Sequence, residues 1–115
     1  GIIDTNNEFY EINSKLFNDH PNLVKYEVGK LFAGLTSKIV NEHLYAQPNA
    51  QGTRDVFDQK TLYGMVECTR DLSRVNCMNC LNFLIREFLD SSYKMRGGHA
   101  ICGSCYVRFE FHHYF

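Results

Sequence analysis

Several common function classes are excluded by what this chain of 115 residues lacks. It has no tryptophan and only 2 prolines, and none of its 5 cysteines lies before position 68. No charge sign dominates: 12 Lys and Arg stand against 13 Asp and Glu, a formal net charge of -1. A chain balanced in this way carries no basic footprint for nucleic acid and no cationic face for a membrane. No apolar run approaches the roughly 20 residues that a membrane-spanning helix needs. The first 20 residues hold Asp4, Glu8, Glu11 and Asp19 without an apolar centre, so they do not read as a signal peptide, and a cleaved one would leave no trace. There is no Asn-x-Ser/Thr sequon, no low-complexity tract and no internal repeat. No phosphate-binding glycine loop and no HExxH motif is present.

What remains is an ordinary globular composition, 44% hydrophobic and 14% aromatic, long enough for one domain over residues 1–115 with a modest core. A short edge strand is expected around residues 6–12. Asp19-His20-Pro21 is a helix start, with proline tolerated in the first turn. Val24, Val28, Leu31, Phe32, Leu35 and Ile39 then mark one buried helical face, and the helix should end near Asn41–His43. Residues 46–54 read as a loop by composition, and Val56-Phe57 as the start of a strand or hairpin arm. Leu62 to Cys68 reads as a strand. Ser73 is a good N-cap for a second helix, with Leu72 as a staple and Cys77, Cys80, Leu81, Leu84 and Phe88 on its buried face. Asp90-Ser91-Ser92 ends that helix. Arg96-Gly97-Gly98 is a turn signal, His99–Cys102 a short strand and Gly103-Ser104 a break. From Cys105 the residues alternate: Cys105, Val107, Phe109 and Phe111 on one face, Tyr106, Arg108, Glu110 and His112 on the other. Two helices and about five strands, with both helices on one face of an antiparallel sheet, make an α+β domain.

The cysteines admit three readings. Cys77-x2-Cys80 and Cys102-x2-Cys105 could form a tetrahedral zinc site, although the first pair lies inside a helix with no knuckle turn and Cys68 would be left over. Five buried reduced thiols would suit an intracellular chain. Disulfides would suit an extracellular one. Catalysis finds little support. Cys102 and His99 are three apart on a strand and point to opposite faces, and Asp55 and Asp58 read as solvated loop charges. No enzyme activity and no cofactor are expected. His112-His113 could bind a stray metal ion, but reads more simply as a terminal strand with an exposed imidazole.

One resemblance favours the third reading. Cys68-x8-Cys77-x2-Cys80, led in by Leu62-Tyr63-Gly64 and Asp71-Leu72-Ser73, resembles the signature of the plant Gnk2-homologous domain, also called DUF26 or the salt-stress-response/antifungal domain. The Cys77-x2-Cys80-Leu81 helix, the Gly97-Gly98 pair and the Ser104-Cys105…Arg108-Phe109-Glu110 ending resemble that family as well. The resemblance implies bridges Cys68–Cys77 and Cys80–Cys105. It leaves Cys102 outside both, either buried or bridging to another chain. The family's third bridge has no counterpart, since its positions fall near Asn13 and at Ser91-Ser92.

The resemblance also implies a secreted, apoplastic protein of defence-related, antifungal and lectin-like function. Its partner would be a mannose-type glycan or a fungal cell-wall polysaccharide. The residues carried over are Glu110, His99 in place of an arginine, and Ser14 with Asn13 beside it. A carboxylate accepts from two sugar hydroxyls, and charged partners make the stronger hydrogen bonds. Imidazole brings at most two donors against five for guanidinium, so His99 predicts weaker binding. Arg108, two residues from Glu110 on the same face, could instead hold Glu110 in an ion pair. The alternatives are a protein-interaction ectodomain of a receptor-like or plasmodesmal protein, with a protein partner or dimer, and a zinc-stabilised intracellular module.

Overall fold

The structure, a computed structural model, describes residues 9–12, 21–42, 48–56, 59–91 and 97–115. Its elements run β1 (Phe9–Ile12), α1 (Pro21–Glu42), β2 (Asn49–Asp55), β3 (Thr61–Cys68), α2 (Arg74–Ser91), β4 (Gly97–Cys102) and β5 (Cys105–Glu110). The strands form one antiparallel sheet in the order β1-β4-β5-β3-β2. Helix α1 lies over β2 and β3, α2 lies over β4 and β5, and the two helices pack on each other. Both therefore cover the same face of the sheet, as the alternation in β5 requires.

The core follows the two periodicities. Val24, Val28, Leu31, Phe32, Leu35 and Ile39 of α1 are all buried. So are Cys77, Cys80, Leu81, Leu84 and Phe88 of α2, and Cys105, Val107 and Phe109 of β5. Phe32, Phe88 and Phe109, one from each of α1, α2 and β5, meet in a mutual cluster with centroid separations of 6.1, 6.3 and 6.1 Å. Such tilted and edge-on pairs add to the burial of three large apolar side chains. Helix α2 starts as its cap predicts: the Asn76 N–H donates to Ser73 Oγ at 3.1 Å and the Cys77 N–H to the Ser73 carbonyl at 2.8 Å.

Four assignments read from the sequence need correction. Residues 46–54 are not a loop throughout, because Asn49–Asp55 is the edge strand β2. Its row toward the helices is Ala50, Gly52 and Arg54, with no large apolar side chain to announce it. Leu35 fills that space instead, and a Cβ on Gly52 would stand 3.0 Å from Leu35 Cδ2. Arg54 is held by α1, its Nε donating to Glu27 Oε2 at 2.7 Å. Val56 does not open a strand either; it follows β2, its N–H donating to the Lys60 carbonyl at 2.9 Å, while Phe57 and Asp58 lie outside the described residues. Gly97 and Gly98 are not a turn but the first residues of β4, buried and paired with Glu110 and Phe109. At its other end β5 stops at Glu110, so Phe111 and His112 do not continue the strand.

All five cysteines are placed at or near the helix–sheet interface. Cys68 is bridged to Cys77 and Cys80 to Cys105, with Cα separations of 5.8 and 6.3 Å. The first ties the end of β3 to the start of α2, and the second ties α2 to β5. Cys102 is fully buried and takes part in neither bridge. Three of the four sulfurs of the double CxxC are thus committed to disulfides, and the zinc arrangement has no quartet of thiolates to use.

Candidate functional site

The face of the sheet away from the helices carries the polar row that the alternation of β5 predicts. Strand pairing sets its neighbours: His99 lies opposite Arg108, Gly97 opposite Glu110, and Ile101 opposite Tyr106. On the other side of β5, Tyr63 lies opposite Glu110, Met65 opposite Arg108 and Glu67 opposite Tyr106. His99 and Glu110 therefore share a face on adjacent strands, diagonally placed with Arg108 and Gly97 completing the square. The His99 ring also approaches that of Tyr106, with centroids 5.8 Å apart. Asn13 and Ser14 lie outside the described residues.

Glu110 is not presented to solvent. Its side chain is 5% exposed, and Arg108 Nε donates to its Oε2 at 3.1 Å. Arg108 is sandwiched from the other side by Tyr114, whose ring centroid lies 4.1 Å from the guanidinium carbon. The Tyr114 hydroxyl donates back to the Arg108 carbonyl at 2.9 Å. Burial of Tyr114 raises its phenol well above the usual range, against the opposing pull of Arg108. Tyr106 is raised too, again first by burial, with Arg108 opposing. Both phenols stay protonated at physiological pH and act as hydrogen-bonding groups rather than charges.

Residues 111–115 hold this arrangement from outside. They do not extend the strand but fold back over its end, where His113 stacks on Tyr63 with centroids 5.2 Å apart. Phe115 packs edge-on to Tyr63, His113 and Tyr114 at 6.1, 5.2 and 5.0 Å. The imidazoles are exposed as expected, but the terminal strand is corrected: both His112 and His113 lie beyond β5, and His113 stacks on Tyr63. The part played by Tyr114 and Tyr63 carried no sequence signal, because it depends on where five residues beyond the last strand turn. Tyr106 is on the face that the alternation of Arg108 and Glu110 already predicts.

Chemically, this face offers an imidazole, phenols and an Arg108–Glu110 ion pair, groups that donate and accept hydrogen bonds. His99 faces outward and Cys102 lies on the helix-facing side of β4, so the imidazole and thiol are not brought together. Among the described residues no group of three or more His, Cys, Asp or Glu side chains could hold a metal ion. No described helix is long and apolar enough to cross a membrane.

Comparison with known proteins agrees with this architecture. The family model described as salt stress response/antifungal matches residues 5–112. The chain is 37% identical over 112 residues to an antimicrobial ginkbilobin-2-like protein of Castanea crenata, covering 96% of this chain and 44% of that one. It is 36% identical over 113 residues to cysteine-rich repeat secretory protein 38 of Arabidopsis thaliana, covering 96% and 42%. The chain thus spans less than half the length of these relatives. In fold it is similar to the tandem DUF26 ectodomain of the Arabidopsis thaliana cysteine-rich receptor-like protein PDLP5, with a TM-score of 0.73 over 91% of this chain and 50% of that one, at 14% identity. The bridged helix, the five-stranded sheet and the matched sequence together make this chain a member of the salt stress response/antifungal family, the Gnk2-homologous or DUF26 domains.

Proposed function

We propose that this chain is a secreted, non-enzymatic recognition domain of the plant-defence type, which binds its ligand on the sheet face that neither helix covers. One observation carries the reading: His99, Tyr106, Arg108 and Glu110 are lined up by strand register on that face, while both helices and both disulfides lie on the other. The names of the relatives, a secretory and an antimicrobial protein, support the compartment and the role.

The ligand class is a mannose-type glycan or a fungal cell-wall polysaccharide. His99 and Glu110 are neighbours, as such a site requires. Yet Glu110 is buried and held by Arg108, so it accepts a sugar hydroxyl only after Arg108 gives up its hold, and the expected affinity is weak. An array of plant and fungal glycans tests this. Mannose-rich structures should bind weakly, and His99→Arg, which restores a five-donor group at that position, should strengthen them. An array silent toward mannose-rich and fungal cell-wall glycans alike, for both proteins, would discard the glycan reading.

The second reading, a protein-interaction ectodomain, is favoured by Ile101, which is 41% exposed on the same face. The solved structures similar in fold are ectodomains of receptor-like proteins. A silent array together with concentration-dependent self-association in light scattering would favour it.

A further inference from the structure

A second feature of the open face lies at the opposite end of the sheet from Glu110. Here a cleft of about 530 Å³ runs across the strands, within the size range of small-ligand sites. Its base is a row set by register across four strands: Ile101 of β4, Tyr106 of β5, Glu67 of β3 and Asn49 of β2. Thr69 and Arg70, from the turn after β3, line it as well. Tyr106 and Glu110 are four residues apart on one strand, so the cleft centres about 13 Å from the carboxylate.

The cleft is built rigidly. The Thr69 N–H donates to the Ser104 carbonyl at 2.9 Å, and the Cys68 N–H donates to the Pro48 carbonyl at 2.8 Å, so both turns that line it are tied to neighbouring segments. Cys68 and Cys105 also line it, and each is bridged to α2 beneath. A ligand entering this site would meet side chains already held in place, which lowers the ordering cost of binding.

Its chemistry is split along the row. Ile101 and Tyr106 offer a flat apolar shelf with a phenol at one edge, kept protonated by its partial burial. Glu67, Asn49, Thr69 and Arg70 offer carboxylate, amide, hydroxyl and guanidinium at the other. We infer that this cleft binds a neutral oligosaccharide. The C–H face of a pyranose would lie on Tyr106 and Ile101, and its hydroxyl edge would meet Glu67, Asn49 and Arg70. The two opposite charges, Glu67 and Arg70, select against strongly anionic and strongly cationic ligands alike, since each would face one repelling group. A cleft that crosses the strands, instead of following a free edge, gives an extended peptide no backbone ladder to join. The inference does not rest on mannose or on the use of Glu110.

The test is titration of the 15N-labelled chain with three neutral hexasaccharides: β-1,4-linked N-acetylglucosamine, β-1,3-linked glucose and α-linked mannose. At least one should move the amides of Thr69, Arg70, Ser104 and Tyr106 while those of Gly97 and Glu110 stay in place. Glu67→Gln and Arg70→Ala, both at exposed positions, should each weaken that binding about tenfold with the spectrum otherwise unchanged. The inference is overturned if no hexasaccharide moves Thr69 and Ser104, or if both variants bind as the parent does. It is also overturned if a neutral Gly-Ser-Thr decapeptide moves the same amides and no saccharide does. Shifts at Gly97 and Glu110 alone would support the proposed function above and still sink this second site.

Discussion

Glu110 is drawn out of solvent by its neighbours: Arg108 takes one carboxylate oxygen, and Tyr114 closes over the guanidinium. Removing Arg108 would leave a buried carboxylate without its cation, a loss of about 3 kcal/mol or more at neutral pH. Urea unfolding of Arg108→Ala should show that loss, and Arg108→Ala/Glu110→Gln should recover part of it. The phenols set a limit at the alkaline end. Tyr106 and Tyr114 both bind their protons more tightly folded than unfolded, where the value is near 10.0. Their contribution is therefore complete below about pH 10 and is lost as pH rises beyond it. Stability should fall from that pH upward, and Tyr114→Phe should blunt the fall while weakening the fold at neutral pH by roughly 1 kcal/mol for the lost hydrogen bond. Two glycines divide by environment. A Cβ on Gly64 would stand 2.6 Å from Leu31 Cδ2, where α1 presses on β3. Gly64→Ala should cost about 1–3 kcal/mol. At Gly34 nothing lies within 4 Å, so Gly34→Ala should stabilise the exposed side of α1 by roughly 0.5–1 kcal/mol. Chemical denaturation of the pair checks both signs.

Among the elements, α2 was the most legible. Its cap, its buried face and its two cysteines follow from local chemistry that works at a range of three or four residues. Ser73→Ala should lower stability by about 1 kcal/mol, since the Asn76 amide loses its acceptor. Strand β2 was not legible, and the reason is physical. An edge strand shows a pattern only if its inner row is apolar, and here Leu35 occupies the space above Gly52 while Glu27 takes Arg54. Gly97-Gly98 misled for a related reason. The pair reads as a turn locally, but pairing with Glu110 and Phe109 holds it in β4. At the site, Arg108 and Glu110 were visible as a polar face because strand alternation is local. That Arg108 would be clamped onto Glu110 from behind was not visible, because it depends on Tyr114 returning over a strand that has already ended.

At the scale of the whole molecule, the two bridges and the aromatic cluster hold two helices to one face, and among the described residues no helix covers the other. The Cys80–Cys105 bridge spans 25 residues, and closing a loop of that size in the unfolded chain is worth about 3.5 kcal/mol. Replacing both cysteines by serine should lower the unfolding midpoint accordingly, and more than the loss of Cys68–Cys77, whose separation of 9 is worth about 2.5 kcal/mol. The central claim is that the open face is the binding face. It is tested most directly by mapping amide shifts of the labelled chain during titration with a branched fungal mannan. The account predicts perturbations confined to β2–β5, the turns at residues 69–70 and 103–104 and residues 111–115, with the exposed sides of α1 and α2 silent. Perturbations confined to the helices, or none at saturating mannan, would contradict it.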